Sequence, residues 1–106
     1  MISRTWHGIV PLAMKTGFEA YEYETGVKDT LAIKGNCGAY LKIVNQGVYA
    51  HFFLCTKWDS WESMVDYAGT EPQIAVTYPE DEKYGLISDP IVIIQEVTDS
   101  KNPFDN

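Results

Sequence analysis

Two segments of this chain are apolar on both sides, and any fold has to accommodate them. Val48-Tyr49-Ala50-His51-Phe52-Phe53-Leu54-Cys55 and Pro90-Ile91-Val92-Ile93-Ile94 have the length and the β-branched or aromatic content of strands. Successive side chains of a strand point to opposite faces of its sheet, so a strand with one wet face alternates apolar and polar residues. Neither segment alternates cleanly. A chain of 106 residues supplies at most two helices, enough to cover one face. The other face needs a second cover, and the simplest is another copy of the same sheet. A symmetric homodimer is therefore expected.

The rest of the chain divides into recognisable pieces. Ile2 to Val10 reads as a first strand, and Pro11 suits the first turn of a helix. Met14, Phe18, Tyr21 and Thr25 then recur at helical spacing, with Glu19, Glu22 and Glu24 off the stripe and Gly26 as the stop. Val27 to Gly38 reads as irregular. Ala39 to Val44 is a second strand, Asn45-Gln46-Gly47 a hairpin loop, and Val48 to Trp58 the third strand. Asp59, with Glu62 three residues on, has the form of a capping box. It opens a second helix whose stripe is Trp61, Met64, Val65 and Ala68, ending at Gly69. Thr70 to Asp89 is a long connection, Ile91 to Thr98 the last strand, and Asp99 to Asn106 a polar tail.

The order is strand, helix, strand, strand, helix, strand over a single domain spanning 1–98, followed by the tail at 99–106. Two right-handed crossovers place both helices on one face of a four-stranded antiparallel sheet, the ferredoxin-like α+β plan. That plan leaves one face bare, in agreement with the two-sided strands.

Eight basic residues against fifteen acidic ones give a formal charge of −7. Nucleic acids and anionic membrane surfaces are bound by excess Lys and Arg, so neither is an expected partner. No apolar run approaches the ~20 residues needed to span a bilayer. The stretch Met1 to Trp6 lacks the basic and apolar regions of a signal peptide, and a cytoplasmic location is expected. Cys37 and Cys55, the two cysteines, read as free thiols.

No metal or cofactor is expected. The two histidines, His7 and His51, have no ligand spacing between them, and Gly35-Asn36-Cys37-Gly38 matches neither a phosphate loop nor a dinucleotide fingerprint. His7 and His51 fall on strands that neighbour each other in this plan. They are either ordinary half-buried histidines or an acid–base pair. Trp61 reads as core. Trp6 and Trp58, near Tyr21 and Tyr84, read either as core or as the wall of an aromatic pocket. Arg4 shares a strand face with Trp6 and suits either an ion pair or the orientation of a phenolate or carboxylate.

Trp58-Asp59-Ser60-Trp61-Glu62, at the junction of third strand and second helix, resembles the antibiotic biosynthesis monooxygenase superfamily of dimeric α+β-barrel proteins. Arg4-Thr5-Trp6-His7-Gly8, Thr25-Gly26-Val27-Lys28-Asp29, Gly35-Asn36-Cys37-Gly38 and Tyr78-Pro79-Glu80-Asp81-Glu82 are similar to segments of the same group. The likeness covers about residues 2–98. It implies two sheets forming a dimeric barrel and a pocket between each subunit's sheet and its helices. It further implies oxidation of aromatic substrates by O2 without metal or flavin. Trp58 matches the Trp at the end of the third strand, and Trp6 and His7 fall where members line the pocket. A haem-degrading branch uses a histidine ligand in the second helix, following the Trp that Trp58 matches, and no histidine follows His51 here. Ile94 stands near where relatives would carry a histidine.

The expectation is a cofactor-independent monooxygenase acting on a small aromatic or quinol-like compound. His7, His51 and Trp58 would be catalytic, and Arg4, Trp6, Tyr21 and Tyr84 would bind substrate. The alternative is a non-enzymatic dimeric protein that holds a small molecule in the same pocket.

Overall fold

The first strand, β1 (Ile2–Pro11), alternates buried and part-exposed positions from Arg4 onward, and the strand beside it alternates along its length. In this computed structural model residues 1–96 are described; the expected end of the last strand and the polar tail lie outside them. β1 is followed by a short 3-10 turn (Leu12–Met14), α1 (Lys15–Glu22), a π turn (Tyr23–Val27) and α2 (Lys28–Leu31). Then come β2 (Asn36–Gln46), β3 (Tyr49–Trp58), α3 (Trp61–Ala68), a 3-10 turn (Asp81–Tyr84), β4 (Ile87–Ser88) and β5 (Ile93–Glu96). The sheet is antiparallel in the order β2-β3-β1-β4, with β5 also on β1. This is the ferredoxin-like α+β arrangement.

The expected last strand begins at Ile93 rather than Ile91, and a further short strand, β4, lies before Pro90 in the stretch expected to be connection. Pro90 has no N–H to give a ladder, which confines it to a break or an edge. The chain therefore leaves β1 after Asp89, whose N–H reaches His7 O at 3.0 Å. It pairs instead with the long connection, through Ala75 N to Pro90 O and Val92 N to Gln73 O, both 2.9 Å. It rejoins β1 at Ile93. The β2–β3 turn is Gly47-Val48 rather than Asn45-Gln46-Gly47, since Gln46 already pairs with Tyr49.

Gly26 does not stop the first helix. It lies inside the π turn, and helical structure runs on to Leu31 through the region expected to be irregular. A Cβ at Gly26 would come within 3.1 Å of Leu54 Cδ2. The glycine is there so the helix can lie close against β3. The second helix is capped one residue later than expected. Ser60 is the N-cap, its Oγ accepting from Ser63 N at 3.2 Å, while Asp59 Oδ1 accepts from Ser63 Oγ at 2.8 Å.

Even-numbered side chains of β1 and β3 face the helices and form the core: Trp6, Val10, Ala50, Phe52 and Leu54 with Phe18, Val27 and Val92. Phe18 sits edge-on to Phe52 with ring centroids 4.8 Å apart. Trp61, expected in this core, is half exposed at the end of the sheet, in a shallow depression with Met1, Ile2 and Ile94. The inward residues of α3 are Met64 and Tyr67. The opposite sheet face has no cover among the described residues. It presents Tyr40, Val44, Ile87 and Ile93, at 49–60% exposure, around part-exposed His7, His51, Phe53 and Cys55.

Candidate functional site

Between the sheet and the helices lies an enclosed cavity of about 20 Å³, room for a single water. β1 supplies Arg4 and Trp6, and β3 supplies Leu54. Glu22 comes from α1, Gly26 from the π turn and Tyr67 from α3. Val76, Tyr78, Asp81 and Ser88 close it from the connection and β4. Outside it an open surface depression of about 380 Å³ shares the wall formed by Tyr67, Val76 and Tyr78.

The wall is held by hydrogen bonds. Arg4 donates from Nε to Pro72 O and from Nη2 to Ile74 O, each at 2.9 Å, which fixes its guanidinium and leaves Nη1 without a protein partner among the described residues. The guanidinium also lies 5.7 Å from the centroid of the Tyr67 ring, a cation–π contact. Burial pulls the Arg4 pKa below its ordinary value, and the Tyr67 and Tyr78 hydroxyls oppose the shift. Trp6 donates from its indole N–H to Ser88 Oγ at 2.8 Å. Its ring lies across Gly8, where a Cβ would sit 2.4 Å from Cζ2.

Two carboxyl groups line the same space. Glu22 is 5% exposed; burial, with a contribution from Asp81, pushes its carboxyl up to about 7. Burial also raises Asp81, opposed by the N–H of Tyr78, which donates to Asp81 Oδ2 at 2.8 Å. Asp81 Oδ1 is buried without a partner among the described residues. Tyr78 donates its hydroxyl proton to Asp29 Oδ2 at 3.0 Å, so the Tyr67 hydroxyl, 3.1 Å away, is the donor to Tyr78. Burial raises both phenols above their usual range.

Of the residues singled out in the sequence, Arg4 and Trp6 line this cavity. Trp58 does not; it is fully buried behind the wall, stacked on Tyr67 at 6.0 Å and donating from its indole N–H to Thr56 Oγ1 at 2.9 Å. Tyr21 and Tyr84 pack against each other at 5.3 Å on the flank, where the Tyr21 hydroxyl accepts from Glu80 N at 3.1 Å and steadies the segment that carries Asp81. His7 and His51 do meet, but on the opposite face of the sheet. His7 Nδ1 is 2.8 Å from Asp89 Oδ2, and His7 Nε2 is 2.9 Å from His51 Nδ1, the rings lying within 19° of one plane. Strand alternation is the reason: with Trp6 inward, His7 must point outward. The sheet separates the histidines from Trp6, Arg4 and Trp58.

Glu22, Tyr67, Tyr78 and Asp81 also line the cavity without being singled out as site residues in the sequence, and Glu22, expected off the buried stripe, is buried. One signal was available. Phe18, Glu22 and Gly26 recur at i, i+4 and i+8, so the spacing that buries Phe18 also buries Glu22. Tyr78 and Asp81 reach the cavity from an irregular connection, where no periodicity applies.

No family model matches the chain, and no curated protein matches its sequence. Solved structures do resemble it. A "putative antibiotic biosynthesis monooxygenase" from Deinococcus radiodurans superposes with a TM-score of 0.68 at 13% identity, over 99% of this chain and 100% of that one. A protein of the same description from Bacillus cereus gives 0.62 at 16% identity, over 99% and 98%. A Mycobacterium tuberculosis protein gives 0.54 at 15% identity, over 96% and 100%. The likeness is one of fold, and it extends along the whole described chain.

Proposed function

We propose that this chain is a cofactor-independent monooxygenase acting on a small phenolic or quinol-like compound. One observation carries the reading. A small cavity on the helix-facing side of the sheet sets a fixed guanidinium, with Nη1 free of protein partners among the described residues, beside an indole and two tyrosines, within a fold shared with proteins described as "putative antibiotic biosynthesis monooxygenase". An aromatic ring would lie against Trp6 and Tyr67, and Arg4 Nη1 would face its ionised oxygen, stabilising a charge that grows as the hydroxyl is deprotonated. The anion is electron-rich enough to reduce O2 directly. At a ring methylene the balance is CH2 plus O2 giving C=O plus H2O.

The inner cavity is too small for a ring as it stands, so Val76 to Asp81 would move outward and join it to the outer depression. A second copy of the chain is the proposed cover for the uncovered sheet face.

The test is oxygen uptake with a panel of hydroquinones and anthrones. Wild-type protein should consume oxygen, and Arg4→Lys should lower kcat/KM by about 10²-fold, the scale set by losing one oxyanion donor. Uptake equal in the two proteins would refute the assignment of Arg4. Ligand retained in native mass spectrometry with no uptake at all would favour the non-enzymatic binding protein.

A further inference from the structure

Glu22 occupies a setting that protein carboxylates rarely tolerate. A buried charge normally faces an opposite one. Arg4 is the cation in the same wall, but its Nε and Nη2 serve backbone carbonyls, and no ion pair to Glu22 occurs among the described residues. The helix nonetheless keeps room for the carboxyl group: a Cβ at Gly26 would stand 3.0 Å from Glu22 Oε2. The groups facing Glu22 are Arg4 from β1, Tyr67 from α3, and Tyr78 and Asp81 from the connection. A nearly buried, unpaired carboxyl aimed into a cavity costs stability, and such groups concentrate at working sites.

A hydrogen-bonded chain leaves the same cavity. Tyr67 donates to Tyr78, and Tyr78 to the exposed Asp29. The cavity has room for one water between Glu22 and these hydroxyls. Each hydroxyl in such a chain can accept a proton on one side while releasing its own on the other, so a proton crosses the wall without either ring ionising.

We propose that Glu22 is the proton acceptor of this cleft, taking the hydroxyl proton of a bound phenol or hydroquinone, and that Tyr67, Tyr78 and Asp29 pass that proton to solvent. The inference rests on the cleft being the site for an aromatic ligand. In the step, the ligand O–H bond breaks and an O–H bond forms on the Glu22 carboxylate. The electron pair stays on the phenolate oxygen, and no oxidant is involved. One buried anion replaces another, so the transfer adds no charge to a site with little solvent.

The experiment is done without oxygen, so that failure of oxygenation and failure of this proposal are separate results. Carboxyl 13C NMR across pH, with the Glu22 signal identified by its loss in Glu22→Gln, should show a midpoint near the value of about 7 set by burial. A midpoint in the ordinary carboxylate range overturns the proposal. Bound 4-nitrophenol, read by its phenolate absorbance, should ionise severalfold more slowly after an upward pH jump in Glu22→Gln than in wild type. An equal rate overturns the acceptor role. Tyr78→Phe should reach the wild-type endpoint but approach it roughly tenfold more slowly after a pH jump. An unchanged rate overturns the relay.

Discussion

Glu22 makes the stability of the fold depend on pH in a direction opposite to that of most carboxylates. Its pKa in the folded chain, about 7, lies above the ordinary value of 4.5, so the folded state holds this proton more tightly than the unfolded one. Below the ordinary value both states are protonated and nothing is lost. As pH rises toward and through 7 the folded state is progressively disfavoured, by up to about 3 kcal/mol at 1.36 kcal/mol per pKa unit. Glu22→Gln keeps the shape and removes the ionisation. Urea unfolding at several pH values should show the variant gaining on wild type between mildly acidic and mildly alkaline pH, and parallel profiles would refute it. Two neighbouring residues of β1 mark how far the sequence alone reaches at this scale. Trp6 and His7 are adjacent, both suit a pocket, and alternation guarantees only that one of them faces it. Nothing in β1 alone says which, since both parities of the strand carry aromatic or apolar side chains. Burial of the even set against Phe18 and Phe52 decides it, and that information is tertiary.

Element boundaries follow a similar logic. The first three expected strands, part of the fourth and both helices are present, because their hydrophobic periods are strong, and Gly69 ends the second helix as anticipated; Pro11, expected in the first helical turn, closes β1 instead. The departures come from residues with two physical roles. Gly26 can end a helix or let it approach a strand closely, and the sequence does not distinguish these uses; Leu54 opposite does. Asp59 and Ser60 both make N-caps, and the backbone of Ser60, extended at φ −151°, takes the role. Pro90 interrupts the pairing with β1 between β4 and β5 by withholding a donor. Gly26→Ala tests the packing account. Helix propensity alone favours alanine by ~1 kcal/mol. The new methyl would crowd both Glu22 Oε2 at 3.0 Å and Leu54 Cδ2 at 3.1 Å, and such overpacking costs about 1–3 kcal/mol. Net destabilisation is expected from thermal or urea unfolding, whereas a stabilised variant would return Gly26 to the role of a weak helix residue.

At the scale of the whole molecule, the bare face of the sheet is the feature still without a counterpart. It places Tyr40, Val44, Ile87 and Ile93 in the open, and it also carries Lys42, Lys57, His7 and His51, although the chain as a whole is acidic at −7. A face with this much apolar area and little acidity suits association even between two net-negative copies, since their acidic residues lie mostly elsewhere. Added salt, which screens the residual repulsion, should then strengthen rather than weaken the pair. The expected particle at micromolar concentration is twice the 12.0 kDa chain mass, measured by sedimentation. Ile93 is 60% exposed and pairs with Thr5 of β1 from the edge strand of this face, while the core lies on the other side. Ile93→Asp should therefore leave the far-ultraviolet spectrum of a folded protein but shift sedimentation to a single chain, because a desolvated carboxylate without a partner cannot be buried between two sheets. If Ile93→Asp sediments as wild type does, the two-sided apolar pattern of the last strand has some other cause. If wild type is itself a folded single chain, the proposed covering copy is ruled out.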